Sequence, residues 1–299
     1  MLRISEREFY PLATIIHHPE AANPAFGYRL LFPLCARLVE HLRPSLTDHN
    51  AFVVVQTIVI ALTVWLVGEW VRLFWPRFGR PLGYVLLAVM LTPTISYLNF
   101  YDIAIVGFWA ACLWLLYHQH WIGYLVVFGI ATLNHENNLL LIPVAFVFAL
   151  RSMSLLRLAL LTAAQLALYG SLRYAVIHAV HGAPLWDNRL AQNLAFWQAY
   201  STKALVYSAL VLWPWWGLAA KGWKHAPRLL RCASLALPGL FLVTLLFGRF
   251  DEARQFDALI PIVIALVACW LRGIGQPRPG HAAPDSSISA KTSWVQSQG

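Results

Sequence analysis

From residue 52 onward the chain alternates apolar runs with short polar breaks, and most runs are too long for strands. The pattern predicts helices over 52–71, then 84–98 and 103–117 joined by "NFYD", then 121–133 and 139–150 joined by "NHENN". Further runs cover 158–176, 204–220, 235–247 and 259–271. That makes nine predicted spans, several shorter than the ~20 residues a straight bilayer crossing needs. Short spans suit helices whose ends are buried in protein or face a watery cavity.

Both ends of the chain break the pattern. Residues 1–50 hold one apolar stretch, "YRLLFPLCARLVEHL", which is short and carries Arg29 and Arg37. Leu30, Leu31, Leu34, Leu38 and Leu42 recur at nearly helical spacing, which predicts an amphipathic helix lying on a membrane surface. Residues 273–299 are rich in Gly, Pro, Ser and Gln and predict a disordered tail. The predicted organisation is an outer-face segment (1–50), a transmembrane domain (51–272) and a cytoplasmic tail (273–299).

Composition supports an all-α polytopic membrane protein. Of 299 residues, 59% are hydrophobic and only 12% charged, and the mean hydropathy is +0.60. A soluble domain carries about 25% charged residues, so this apolar surface calls for lipid. The net charge of +9 does not point to nucleic acid. The basic residues stand singly in short loops and form no stripe. The four cysteines show no close spacing.

Charge also sets an orientation. Arg72, Arg77 and Arg80, then Arg151 and Arg157, then Lys221, Lys224, Arg228 and Arg231, and finally Arg272 occupy alternate loops. The positive-inside rule places these in the cytoplasm and puts "NFYD", "NHENN", the 177–203 loop and "GRFDEARQFD" outside. Residues 1–50 then also lie outside, although they hold five arginines and no leading apolar run. Either the topology is inverted or a further span is encoded upstream of Met1, and the second is the expectation.

The outer loops gather the unusual residues: Asp102, the run Asn134, His135, Glu136, Asn137, Asn138, and the Arg249, Asp251, Glu252, Arg254 group. Ionisable groups near membrane depth mark functional sites. A plainer reading stays open, in which Asn134 or Asn137 caps a helix, Asp102 caps the next, and the last group is a solvated network. His17-His18, His118-x-His120 and His178-x-x-His181 have no recognised zinc spacing and are read as loop histidines.

The order of these features resembles the bacterial C-type (GT-C) membrane glycosyltransferases that use polyprenyl-phosphate sugars. "LLAVMLTPTISYLNFYDIAIVGFWAACLWLLY" is similar to their third and fourth spans, with Asp102 in the short outer loop. "WIGYLVVFGIATLNHENNLLLIPVAFVF" is similar to the next pair; the family's Thr-Lys-Glu or Thr-Arg-Glu turn stands here as Asn134-His135-Glu136. "FGYRLLFPLCARL" resembles the family's juxtamembrane helix, and "DEARQFDALIPIVIAL" its Glu-x-Arg-then-Pro entry to a late span. The family's first span has no counterpart, and its catalytic Asp has no clear match among Glu6, Glu8 and Glu20.

The resemblance implies an enzyme of the bacterial inner membrane that passes a sugar, with inversion, from a polyprenyl-phosphate donor to a lipid or glycan acceptor at the outer face. Such chemistry needs a carboxylate to take the acceptor proton and basic groups to hold the leaving phosphate. Glu8 is the candidate base, and Asp102 would position the acceptor or a divalent cation; no other cofactor is implied. His135, Arg29 and Arg254 would meet the phosphate. Asn134, Asn137 and Glu252 would contact the substrates, and Glu136 would hold His135 protonated. The rival class is a flippase or transporter of lipid-linked sugars, or an inactive accessory protein, with Glu136 and His135 as an ion relay.

Overall fold

The computed structural model describes residues 16–18, 29–91, 102–180, 188–199, 202–248 and 253–275, and within them every regular element is a helix. In chain order these are α1 (Leu31–Leu42), α2 (Asp48–Arg72), α3 (Gly79–Leu91), α4 (Asp102–Tyr117), α5 (Trp121–Asn134), α6 (Leu141–Ala149) and α7 (Leu155–Val180). There follow α8 (Leu190–Leu194), α9 (Phe196–Ala199), α10 (Thr202–Gly222), α11 (Arg228–Ala233), α12 (Ala236–Phe247) and α13 (Ile260–Gly275). Short 3-10 turns lead into α6 (Glu136–Leu140), α11 (Trp223–His225) and α13 (Ala253–Leu259). The predicted disordered tail starts too early, because Gly273, Ile274 and Gly275 continue α13; the rest of it, 276–299, lies outside the described residues, as does the end of the predicted 84–98 helix.

Four stretches are long and apolar enough to cross a bilayer: α2, α7, Arg228–Phe247 and Gln255–Ile274. Their burial sorts them. Gln255–Ile274 is central, with 72% of its apolar window inside the protein, whereas α7 is peripheral, at 17%. A helix apolar all round belongs in an interior. On α7 the residues Leu155, Leu156, Leu160, Leu166 and Ile177 face outward, and on α2 so do Val54, Ile58, Leu62 and Trp65. Outward apolar faces on the longest helices are what lipid contact requires.

Close crossings use small residues, as packing between membrane helices favours. A Cβ on Gly222 of α10 would run into the Leu266 carbonyl oxygen of α13. One on Gly83 of α3 would stand 3.3 Å from the Gly68 Cα of α2.

The loops expected in the cytoplasm converge at one end of the bundle. The Arg272 guanidinium donates to the Phe74 carbonyl at 2.9 Å, and Arg228 donates to the Val147 carbonyl at 2.9 Å. Lys221 sits over the Trp270 ring at 5.4 Å. Glu69 pairs with Arg72 at 2.6 Å and with Arg80.

Helix lengths shape the opposite end. At about 1.5 Å per residue, the 25 residues of α2 and 26 of α7 span about 38 Å. The 16 residues of α4 and 14 of α5 span only about 24 and 21 Å. The Thr63 hydroxyl donates to the Ile103 carbonyl at 3.3 Å, and the Tyr117 ring meets Phe74 at 6.2 Å. Thus α4 lies along the Arg72 half of α2, and Asp102 begins about 20 Å short of the Asp48 end.

Helix α1 folds back on the start of α2, with the Phe32 and Phe52 rings 6.0 Å apart. It has two apolar faces. Phe32, Pro33 and Ala36 are buried, while the leucine stripe of Leu34, Leu38 and Leu42 faces away from the protein.

Candidate functional site

The site begins where α5 stops. After Asn134 the backbone turns extended at His135 (φ −158°, ψ 142°) and resumes as the 3-10 turn Glu136–Leu140. Two side chains make this break. The Asn138 amide donates to the Ala131 carbonyl at 2.7 Å and to the His135 carbonyl at 2.8 Å, satisfying the end of α5. The His135 Nδ1 accepts the Asn137 N–H at 3.1 Å and so caps the next turn. His135 and Asn138 therefore both take part in capping. Asn134, His135, Asn137 and Asn138 are all buried.

Glu136 reaches beyond the turn. Its Oε1 accepts from the Arg29 Nη2 at 3.1 Å, bringing the segment before α1 onto the turn. The Tyr169 hydroxyl of α7 donates to the Glu136 carbonyl at 3.2 Å. The buried Arg173 stands one turn further along α7 and adds a second guanidinium to the field at Glu136. Glu136 lies in the turn, outside the long apolar helices. Burial pushes its carboxyl up, but His135, Arg29 and Arg173 together outweigh burial and hold it well below the ordinary carboxylate range.

The His135–Glu136 contact is longer, 3.9 Å from Nδ1 to Oε2. It uses the nitrogen that accepts from Asn137, so ring protonation at Nδ1 and the cap exclude each other. Arg29 and Arg173, not His135 alone, answer the carboxylate.

Sequence reasoning missed Arg173. Its signal was present: a lone arginine inside the predicted 158–176 span, where an unpaired charge is expensive. Asp102 is buried as the first residue of α4. The turn Ala253–Leu259, which contains Arg254 and the buried Asp257, packs against α4 as well as α12 and α13. Glu8 and Glu252 lie outside the described residues.

Behind the turn a buried polar chain ties three helices together. The Gln165 amide donates to the Tyr124 hydroxyl at 2.6 Å, which donates to the Leu141 carbonyl at 3.3 Å. This joins α5, α6 and α7 beneath the charged cluster and fixes the spacing between Glu136 and Arg173. His118 and His120 stack 6.0 Å apart beside Trp114, at the basic end and away from the turn.

The arrangement can hold an anion. Two arginines act on one carboxylate, so positive charge exceeds negative around the turn. No protein-family model, curated protein or solved structure matches this chain.

Proposed function

We propose that this protein is a GT-C-type membrane glycosyltransferase that crosses the membrane nine times. It would move a sugar from a polyprenyl-phosphate donor to a lipid or glycan acceptor at the outer face of the bacterial inner membrane. The observation that carries the reading is Glu136 paired with Arg29 and in the field of Arg173, at the outer ends of short helices. The leaving polyprenyl phosphate gains one negative charge as the sugar C1–O bond breaks. Preorganised cations at that point lower the barrier.

In this reading Glu136 is an organiser, because a carboxylate held strongly ionised is a poor proton acceptor. The acceptor oxygen attacks the anomeric carbon, and its proton passes to a carboxylate base, for which Glu8 is the candidate. Asp102, at the head of α4, positions the acceptor. Asn134, Asn137, Glu252 and Arg254 contribute polar contacts to sugar and phosphate. The outward leucine stripe of α1 rests on the membrane surface and keeps Arg29 over the turn.

The test is purified protein in nanodiscs with radiolabelled polyprenyl-phosphate sugars and a lipid extract as acceptor. Release of polyprenyl phosphate, abolished in Glu136→Gln and Asp102→Asn variants that still reach the membrane, supports the proposal. Translocation of the labelled lipid without bond cleavage would replace it with the flippase reading.

A further inference from the structure

A second constellation lies where α1 meets α2. Its residues come from three separate segments. His17 belongs to the short described stretch before α1, Glu40 to the last turn of α1, and Asp48 to the first turn of α2. The His17 Nε2 is 3.5 Å from a Glu40 oxygen and 3.6 Å from an Asp48 oxygen. One donor atom from each residue lies within 4.8 Å of the other two.

We propose that His17, Glu40 and Asp48 bind a divalent transition-metal ion of the zinc or manganese class. Ligands about 2.1 Å from such an ion lie about 3.4 Å apart when tetrahedral, and both measured His17 distances are close to that. One imidazole with two carboxylates suits zinc or manganese better than calcium or magnesium, which favour oxygen ligands alone. Three protein ligands leave at least one coordination position open.

Two independent features point the same way. The second carboxylate oxygen of Glu40, Oε1, is buried and has no hydrogen-bond partner among the described residues. A buried carboxylate oxygen without a donor is costly, and bidentate coordination would satisfy it. The His17 backbone is also held in place before any ion arrives. The Arg37 guanidinium donates to the Ile16 carbonyl and, at 2.6 Å, to the His17 carbonyl. The Ile16 side chain is fully buried in the main core. The Thr47 hydroxyl accepts the Asn50 N–H at 3.3 Å and fixes the start of α2 beneath Asp48.

Protonated His17 between two carboxylates would give similar distances without a metal, so the experiment must separate the two. Chelator-treated full-length protein in detergent is titrated with Zn²⁺, Mn²⁺ and Mg²⁺ by calorimetry. One equivalent of Zn²⁺ or Mn²⁺ is expected, with Mg²⁺ much weaker. His17→Ala and Asp48→Asn should weaken binding on the order of 100-fold, while a His118→Ala, His120→Ala protein binds as wild type. X-ray absorption of the zinc-loaded wild type should read one imidazole nitrogen among oxygen donors, which covers the case of a variant that fails to fold. No saturable binding, binding unchanged in His17→Ala, or a zinc shell without imidazole would overturn the proposal.

Discussion

Removing the Glu136 charge should destabilise the protein more than removing either arginine beside it. At 3.1 Å the Arg29–Glu136 attraction is about 5 kcal/mol in a medium of effective dielectric constant near 20. The Glu136 side chain is 36% exposed and that of Arg29 12%, so solvent screening and side-chain ordering remove most of that figure. A net coupling of about 1–2 kcal/mol remains. Glu136→Gln also removes the one negative charge that acts on both guanidiniums, whereas Arg29→Gln leaves Arg173 still in the field of Glu136. The assay is a double-mutant cycle on Arg29→Gln and Glu136→Gln, read by reversible unfolding in mixed micelles. The sign of its pH dependence follows from the depressed carboxyl. The contribution is fully present above the unfolded-state value of about 4.3 and is lost as pH falls below it toward the lower folded value. Coupling should therefore be constant from about pH 7 to 5 and shrink below about pH 4. Additive effects within about 0.3 kcal/mol, or equal losses from Arg29→Gln and Glu136→Gln, would refute this account of the cluster.

Arg173→Gln should reduce polyprenyl-phosphate release about 100-fold, comparable to losing one preorganised charge donor, while membrane expression is kept; full activity would remove Arg173 from the site. Gly222→Ala should lower stability by about 2–3 kcal/mol, because its Cβ meets the Leu266 backbone oxygen and α10 must move off α13. The yield of folded protein in detergent measures it, and an unchanged yield would contradict that crossing. Single cysteines replacing the exposed Ser45 and Ser152, in a background without native cysteines, should react oppositely with a membrane-impermeant reagent in intact cells: Ser45→Cys labelled, Ser152→Cys protected. The reverse pattern would move the Glu136 turn to the cytoplasmic side.

Apolar period and loop charge made the helices and the basic end legible in the sequence, because both are local properties. The predicted 52–71, 103–117 and 121–133 runs differ from α2, α4 and α5 mainly at their ends, where polar caps extend a helix past its apolar stretch. The predicted 235–247 span is longer in the structure, because α11 leads into α12 through a short turn and the basic start of α11 hid it. The leucine spacing of α1 was visible, but not that Phe32 and Ala36 form a second face against α2. Asn134, His135 and Glu136 drew attention as a polar run, yet their division of labour depends on hydrogen-bond geometry. His17, Glu40 and Asp48 could not be grouped, since their meeting depends on how α1 folds back.

Unequal helix lengths explain how so apolar a chain tolerates these charges. A guanidinium on a uniform wall of full-length helices would face hydrocarbon, where it is costly. Here α4, α5 and the turn before α6 stop about two-thirds of the way along α2 and α7. Arg173 lies seven residues before the end of α7, about 10 Å in, beside the shortened elements. The Glu136 carboxylate at the end of the shortened pair then supplies a counter-charge that lipid would not. Arg29 reaches the same level from α1, whose other apolar face points outward. Shortening the helices and concentrating charge are thus one structural device, since each shortened end supplies backbone groups and caps that a continuous span would have satisfied internally. Lengthening α5 by one turn would carry Glu136 about 5 Å away from Arg173 and leave that arginine without its carboxylate.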